Sequence, residues 1–271
     1  MAGRRLSAAC AAAVLAALAG LPTPARADDA LVALTDDGAL LRFQSSTPAA
    51  AKRVAVSGVE GRLLGIDYRP ADGKLYGVSD TSEVWVIDPT SGAATFVSTL
   101  TIPFDAGLRS GVDFNPQSDR LRLTGATLQN LRAHQDIGAT AADGALAYLD
   151  GDANAGKRPD VTASAYTSSV PNAPATKLFD IDATLDVLAI QEPPNDGKLA
   201  TVGPLGVDFG DTGGFDIRTD ASGEAAYAAS GATLYGVELA TGKATALGTI
   251  GDGTARVVGL AVVPAKTAAK S

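Results

Sequence analysis

Cysteine is all but missing from this chain of 271 residues. The single one, Cys10, lies in an N-terminal apolar run. Once that run is removed, the remainder can form neither an intrachain disulfide nor a thiolate metal site, so its core must hold by burial alone. Histidine is almost as scarce. His134 is the only one, which excludes a histidine-rich zinc set. A Ser-His-Asp triad would have to be built on His134 beside Asp136, and no nucleophile-elbow pattern accompanies it. The sequence places this histidine in a polar loop.

Basic runs are missing too. The 22 Lys and Arg face 30 Asp and Glu, a formal charge of −8. Such a surface repels nucleic acid and anionic lipid, and it keeps a protein soluble. Aromatic residues make up 5% of the chain, whereas glycine contributes 30 residues. Beyond the N-terminus no segment sustains an apolar period of 3.6. Short alternating runs between Asp, Gly, Pro, Ser and Thr clusters dominate instead, which predicts an all-β chain.

What is present first is a targeting pattern. Arg4 and Arg5 precede the Ala/Leu-rich run from Leu6 to Leu21, and Ala25-Arg26-Ala27 has the small-x-small form of a cleavage site. The run is shorter than the about 20 apolar residues of a spanning helix. Residues 1–27 therefore read as a signal peptide, with the mature chain starting at Asp28. Export to the periplasm or the exterior follows, with no membrane span after cleavage. Losing Arg4, Arg5 and Arg26 takes the formal charge from −8 to −11. Residues 28–265 read as one domain, and 266–271 as a disordered tail.

The domain is a repeat. From Leu64 to Leu100 it reads LGIDYRP, KLYGVS, EVWVID and AATFVSTL, four strand-like runs with turn residues at every join. First strands begin near residues 64, 110, 162, 213 and 258, a spacing in the range of propeller blades. The stretch after Asp28 carries the repeat without its first strand. That strand reappears as Val258-Gly259-Leu260-Ala261-Val262. The prediction is a five-bladed β-propeller of four-stranded blades, closed by pairing N-terminal and C-terminal segments in one blade. The second blade is expected to end on the strand from Ala145 to Leu149, followed by a polar insertion from Asp150 to Pro159. The stretch from Gly203 to Thr212 is too short for a sixth blade.

Three groups of residues are candidates for chemistry. The first strand of each blade lines the channel of a propeller, and its aligned positions are Asp67, Asp113, Ala165, Asp216 and Ala261. Three converging carboxylates need a cation, water or backbone N–H groups to offset their repulsion. One reading is a cation or ligand site; the other is that each Asp caps a neighbouring blade through hydrogen bonds. The second group is Asp150, Asp152 and Asn154, with Asp160 to close it, where alternating oxygen ligands resemble the start of a calcium loop. Glycine falls one place late for that pattern, and Val161 stands where a Glu belongs. The other reading is a polar loop with Asx turns. The third group is Asp113, Asn115, Arg120, Gln129, Asn130 and Arg132, in which Gln129, Asn130 and Arg132 gather donors suited to a polar or anionic ligand; the other reading is a satisfied structural cluster, and Asp119 and Arg120 are also placed to pair with each other.

The segments GVDFNPQSDRLRLTG, QNLR, DGALAYLDGDANAGKRPDVTASAYTSS and LFDIDATLDVLAIQEPPNDGKLATVGPLGVD resemble the bacterial domain-of-unknown-function family 4394. The likeness extends over essentially the whole mature chain. It implies an exported β-propeller and implies no activity. The family's AYTN-type segment is Ala165 to Ser169 here, with AYTSS in place of the Asn. The sequence thus points to a binding or scaffold module for an unknown small molecule, glycan or protein, with Ca²⁺ as the one candidate cofactor. The competing reading is a metal-assisted hydrolase of the lactonase or esterase kind, using the channel carboxylates.

Overall fold

A short alternating strand buries one face, and a lone four-stranded sheet leaves both faces and both edges in need of partners. The chain solves this by stacking its sheets around an axis. The computed structural model describes residues 28–107, 110–125 and 127–264. The signal peptide expected over 1–27 and the tail expected over 266–271 lie outside them.

The chain enters with three antiparallel strands, β1 (Ala30–Thr35), β2 (Ala39–Gln44) and β3 (Lys52–Ala55). The first complete blade is β4 (Leu63–Tyr68), β5 (Leu75–Ser79), β6 (Glu83–Ile87) and β7 (Ala94–Thr99). The second is β8 (Ser110–Asn115), β9 (Arg120–Gly125), β10 (Asn130–His134) and β11 (Ala139–Ala142). A two-residue strand, β12 (Ala147–Tyr148), precedes the third, which comprises β13 (Val161–Tyr166), β14 (Leu178–Asp182), β15 (Val187–Gln191) and β16 (Lys198–Pro204). The fourth is β17 (Gly213–Asp220), β18 (Gly223–Ser230), β19 (Thr233–Val237) and β20 (Ala244–Thr249). Finally β21 (Val257–Val262) pairs antiparallel with β1, opposite Leu31 through Thr35, so one blade holds both ends of the chain. The innermost strands β4, β8, β13, β17 and β21 touch one another in ring order. Five sheets form among the described residues, and Gly203 to Thr212 adds none.

The second blade departs from its expected edge. Residues near Ala145–Leu149 do not end it; β11 does, and β12 crosses to the third blade, where it pairs parallel with β16. Leu146 and Tyr148 explain the crossing. Both are buried with Val161, Ala189 and Leu199. In the second blade they would lie on an outer edge where β11 buries little.

Packing between blades is apolar at four of the five joints. Phe114, Leu121 and Leu123 meet Leu64, Tyr76 and Val78. Phe179 and Ile181 meet Phe215 and Ile217. Leu31, Leu41 and Phe43 meet Tyr227 and Leu234. Val32, Leu34 and Leu40 meet Ile66 and Trp85. At the joint between the second and third blades, the buried apolar members come from the third blade and its approach alone. Polar side chains fill the remainder of that seam. Near the axis the backbones approach closely. A Cβ on Gly214 would overlap the Leu260 backbone, so only glycine fits there.

Candidate functional site

The period of two along each innermost strand turns Asp67, Asp113 and Asp216 toward a common point. One oxygen from each lies within 4.8 Å of the others. The three residues are 5, 3 and 6% exposed, so water does little to screen them.

Their hydrogen bonds account for a whole ring of backbone donors. Asp67 Oδ1 accepts from Tyr68 N–H at 2.6 Å and its Oδ2 from Phe114 N–H at 2.8 Å. Asp113 Oδ1 accepts from Tyr166 N–H at 3.2 Å. Asp216 Oδ1 accepts from Ile217 N–H at 2.6 Å and its Oδ2 from Val262 N–H at 2.5 Å. These five donors occupy the same place in the five innermost strands, one residue after the aligned position. Where a blade carries Asp, the carboxylate reaches forward to the next blade. Where a blade carries Ala165 or Ala261, the following blade's own Asp turns back and supplies the acceptor. Three carboxylates thereby satisfy five N–H groups that would otherwise be buried unpaired.

Burial holds Asp67 and Asp113 well above the usual carboxylate range, and the neighbouring carboxylates add to it. Burial also lifts Asp216, to about 6, against its two backbone hydrogen bonds. The cluster can hold protons, and its oxygens suit a hard cation by type. Five of the six oxygens already accept a backbone hydrogen bond; Asp113 Oδ2 accepts none among the described residues.

The seam between the second and third blades continues from Asp113. Its cross-strand partner is Arg122, which is 1% exposed. The guanidinium donates to Tyr166 Oη at 3.2 Å, Asn130 Oδ1 at 2.6 Å, Asp143 Oδ2 at 2.7 Å and Asn195 Oδ1 at 2.8 Å. Arg132 grips the same Asp143 through two bonds of 2.6 and 2.8 Å. Deeper in, Ser164 Oγ donates to Asp180 Oδ1 at 2.5 Å, and burial pushes Asp180 up to about 7. Asp180 Oδ2 is buried without a hydrogen-bond partner among the described residues.

The third group of the sequence reading is therefore scattered over several tasks. Asp113 faces the axis. Asn115 Oδ1 accepts from Gln117 N–H and Ser118 N–H and closes a turn. The Gln129 amide accepts from Asp105 N–H and donates to the Pro103 carbonyl. Asn130 donates to the Gly144 and Pro194 carbonyls inside the seam. Asp119 pairs with Arg69 rather than with the Arg120 side chain. Arg120 and Arg132 remain together and line a surface groove of about 320 Å³ with Thr101, His134, Ala139, Thr140 and Ala141. His134 lies in β10, not in a loop.

In the insertion, Asp150, Asp152 and Asp160 do not converge as a trio of ligands among the described residues. Asp152 accepts from Asn154 N–H at 2.8 Å and from Thr201 N–H and Oγ1, each at 2.7 Å. Asn154 Oδ1 accepts from Lys157 Nζ at 2.9 Å, and Asp160 Oδ2 from Thr184 Oγ1 at 2.6 Å.

Arg122, Asp143, Asp180 and Arg69 escaped the sequence reading. A signal for Arg122 exists: in Arg120-Leu121-Arg122-Leu123 the period of two places arginines and leucines on opposite faces of a buried strand.

The model of a family described as a domain of unknown function (DUF4394) matches residues 39–261. No curated protein matches the chain. Among solved structures it is similar to a chain in the crystal structure of a nidogen/laminin complex, with 14% identity, 89% of this chain and 100% of that chain covered, and a TM-score of 0.53. It is also similar to a structural-genomics protein of unknown function from Bacteroides thetaiotaomicron, with 14% identity, 80% and 55% covered, and a TM-score of 0.52. An auxiliary nutrient binding protein from the same organism follows, at 15% identity, 74% and 53% covered, and a TM-score of 0.45. The chain thus spans about half the length of the two Bacteroides proteins. For the first two, at 14% identity, the likeness is one of fold.

Proposed function

The chain belongs to the family described as domain of unknown function DUF4394, and on that premise we propose that it is an exported β-propeller acting as a binding or scaffold module, with no hydrolytic centre at its axis. The observation that carries this reading is the use of Asp67, Asp113 and Asp216 to satisfy the five innermost-strand N–H groups. A hydrolase working through these residues would need them around an open, wet pocket, so that a metal could polarise substrate and water. They are instead buried and occupied in tying blade to blade. The export signal motivates the location, as a soluble module outside the cytoplasm. The ring shape supports the role as well, since a chain of similar fold takes part in a nidogen/laminin complex.

The test is an assay of ester and lactone turnover by the purified protein, with and without added divalent cations. No turnover above that of Asp113→Ala is expected in either condition. Metal-dependent turnover that Asp113→Ala abolishes, in a variant that still melts cooperatively, would establish the hydrolase instead.

A further inference from the structure

We propose that the groove beside the seam, lined by Arg120, Arg132 and His134, binds an oxyanion group of a small organic or inorganic ligand. The proposal rests on the binding-module reading and names its ligand chemistry.

The groove is lined by two arginines, a histidine, two threonines and two alanines, with no carboxylate among them. This is notable in a chain with eight more acidic than basic charges. The acids nearby are turned to other partners. Asp143 is 5% exposed and lies between Arg122 and Arg132. Asp119 and Asp136 both close on Arg69.

Arg120 supplies the recognition edge. Its Nη1 donates to the carbonyls of Ser118 at 3.2 Å and Asp119 at 2.9 Å, which fixes the plane of the guanidinium. Its Nε and Nη2 meet no acceptor among the described residues. That pair of parallel N–H groups is the fork that grips a carboxylate or phosphate with two bonds. Arg132 spends Nε and Nη2 on Asp143, and its Nη1 meets no acceptor among the described residues. His134 stands beside them, its Nδ1 buried, without a hydrogen-bond partner among the described residues, and 4.0 Å from Asp136 Oδ2. Ala139 and Ala141 keep the wall low, and a volume of about 320 Å³ suits one small ligand.

Isothermal titration calorimetry of the full chain at low ionic strength tests this with two probes, glucuronate for a carboxylate and inorganic phosphate for a tetrahedral anion. Binding of at least one probe is expected, weakened about tenfold or more in Arg120→Gln, because a charge-assisted pair is lost. Arg120→Lys keeps the charge without the fork and should recover only part of the affinity. Glucuronate binding alone assigns the site to carboxylates, and phosphate binding alone assigns it to phosphate groups. Failure of both probes to bind overturns the proposal, as does equal affinity in wild type and Arg120→Gln. Arg120 is partly exposed and its hydrogen bonds go to two turn carbonyls, so its variants are expected to keep a cooperative melt, recorded in parallel. The turnover assay above is a separate readout, so a silent groove leaves the scaffold reading standing and turnover leaves the groove standing.

Discussion

The axial carboxylates do not all satisfy the same number of backbone donors, and that number sets what the loss of each should cost. Asp67 and Asp216 each accept two, Asp113 one. A buried donor left without a partner costs about 1–3 kcal/mol. Asp216→Ala and Asp67→Ala should therefore destabilise more than Asp113→Ala. The last substitution also relieves repulsion on its two neighbours. Urea unfolding of the three variants measures the order, and a larger loss for Asp113→Ala would contradict it. The same carboxylates set a pH dependence. Burial raises Asp67, Asp113, Asp216 and Asp180 in the fold, the last two to about 6 and about 7. Unfolded, each returns to about 3.9. The fold binds these protons more tightly, so this contribution to stability is full below about pH 4 and lost as pH rises through 6 and 7. Asp119 acts in the opposite sense: the Arg69 hydrogen bond holds it low, and its contribution is lost at the acid end. The melting temperature should fall between pH 6 and 9. A flat or rising profile over that range would show that the cluster is not charging. Alignment of the repeats was enough to bring these three Asp residues together from sequence. That one carboxylate serves two strands was not legible, because it depends on which direction each side chain turns at the axis.

The seam between the second and third blades is the element on which polar packing replaces apolar packing. Arg122 there meets four acceptors, one of them the Asp143 carboxylate that also holds Arg132. Removing one member of a buried charged network costs about 3–5 kcal/mol, because the partner is left charged and dry. Arg122→Ala should lose stability of that order, with Asp143, Asn130 and Asn195 all left short of a donor. Chemical denaturation checks the size; a loss below about 1 kcal/mol, the level of an exposed ion pair, would mean that water replaces the guanidinium freely. At this scale much of the fold was legible. The innermost strands β4, β8, β13, β17 and β21 begin within a residue of where the repeat places them. The exception, β12, is instructive. Its residues alternate like any strand, and the alternation says which face is buried without saying which sheet is joined. The seam itself escaped notice because Asp143 and Asn195 lie in connections between strands, and the period of two along β9 and β10 does not say that Arg122 and Asn130 meet them.

At the scale of the whole molecule, stability depends on closure, since each blade buries its faces only against two neighbours. The join is made by β21, which pairs with β1, supplies Leu260 and Val262 to the core with the fourth blade, and donates Val262 N–H to Asp216. A second tie secures the incoming chain. Asp29 Oδ2 accepts from Arg218 Nε at 2.9 Å and from Tyr227 Oη at 2.6 Å, fastening the start of the domain to the fourth blade. A chain ended at Arg256 loses β21. It leaves β1 an open edge, uncovers Leu31 and Ala33, and strips Asp216 of a partner. Because the same strand completes one blade, contacts both neighbouring innermost strands and locks the axis, its removal cannot be absorbed locally. The truncated chain should lose its single cooperative thermal transition and elute as aggregate or expanded monomer. A chain ended at Pro264 keeps every one of these contacts and should melt as the full chain does. Circular dichroism melts with size-exclusion chromatography on the two truncations separate the cases. A cooperative melt of the Arg256 truncation within a few degrees of wild type would mean that four blades hold without the fifth being closed, and that the split blade is an accessory to the fold rather than its lock.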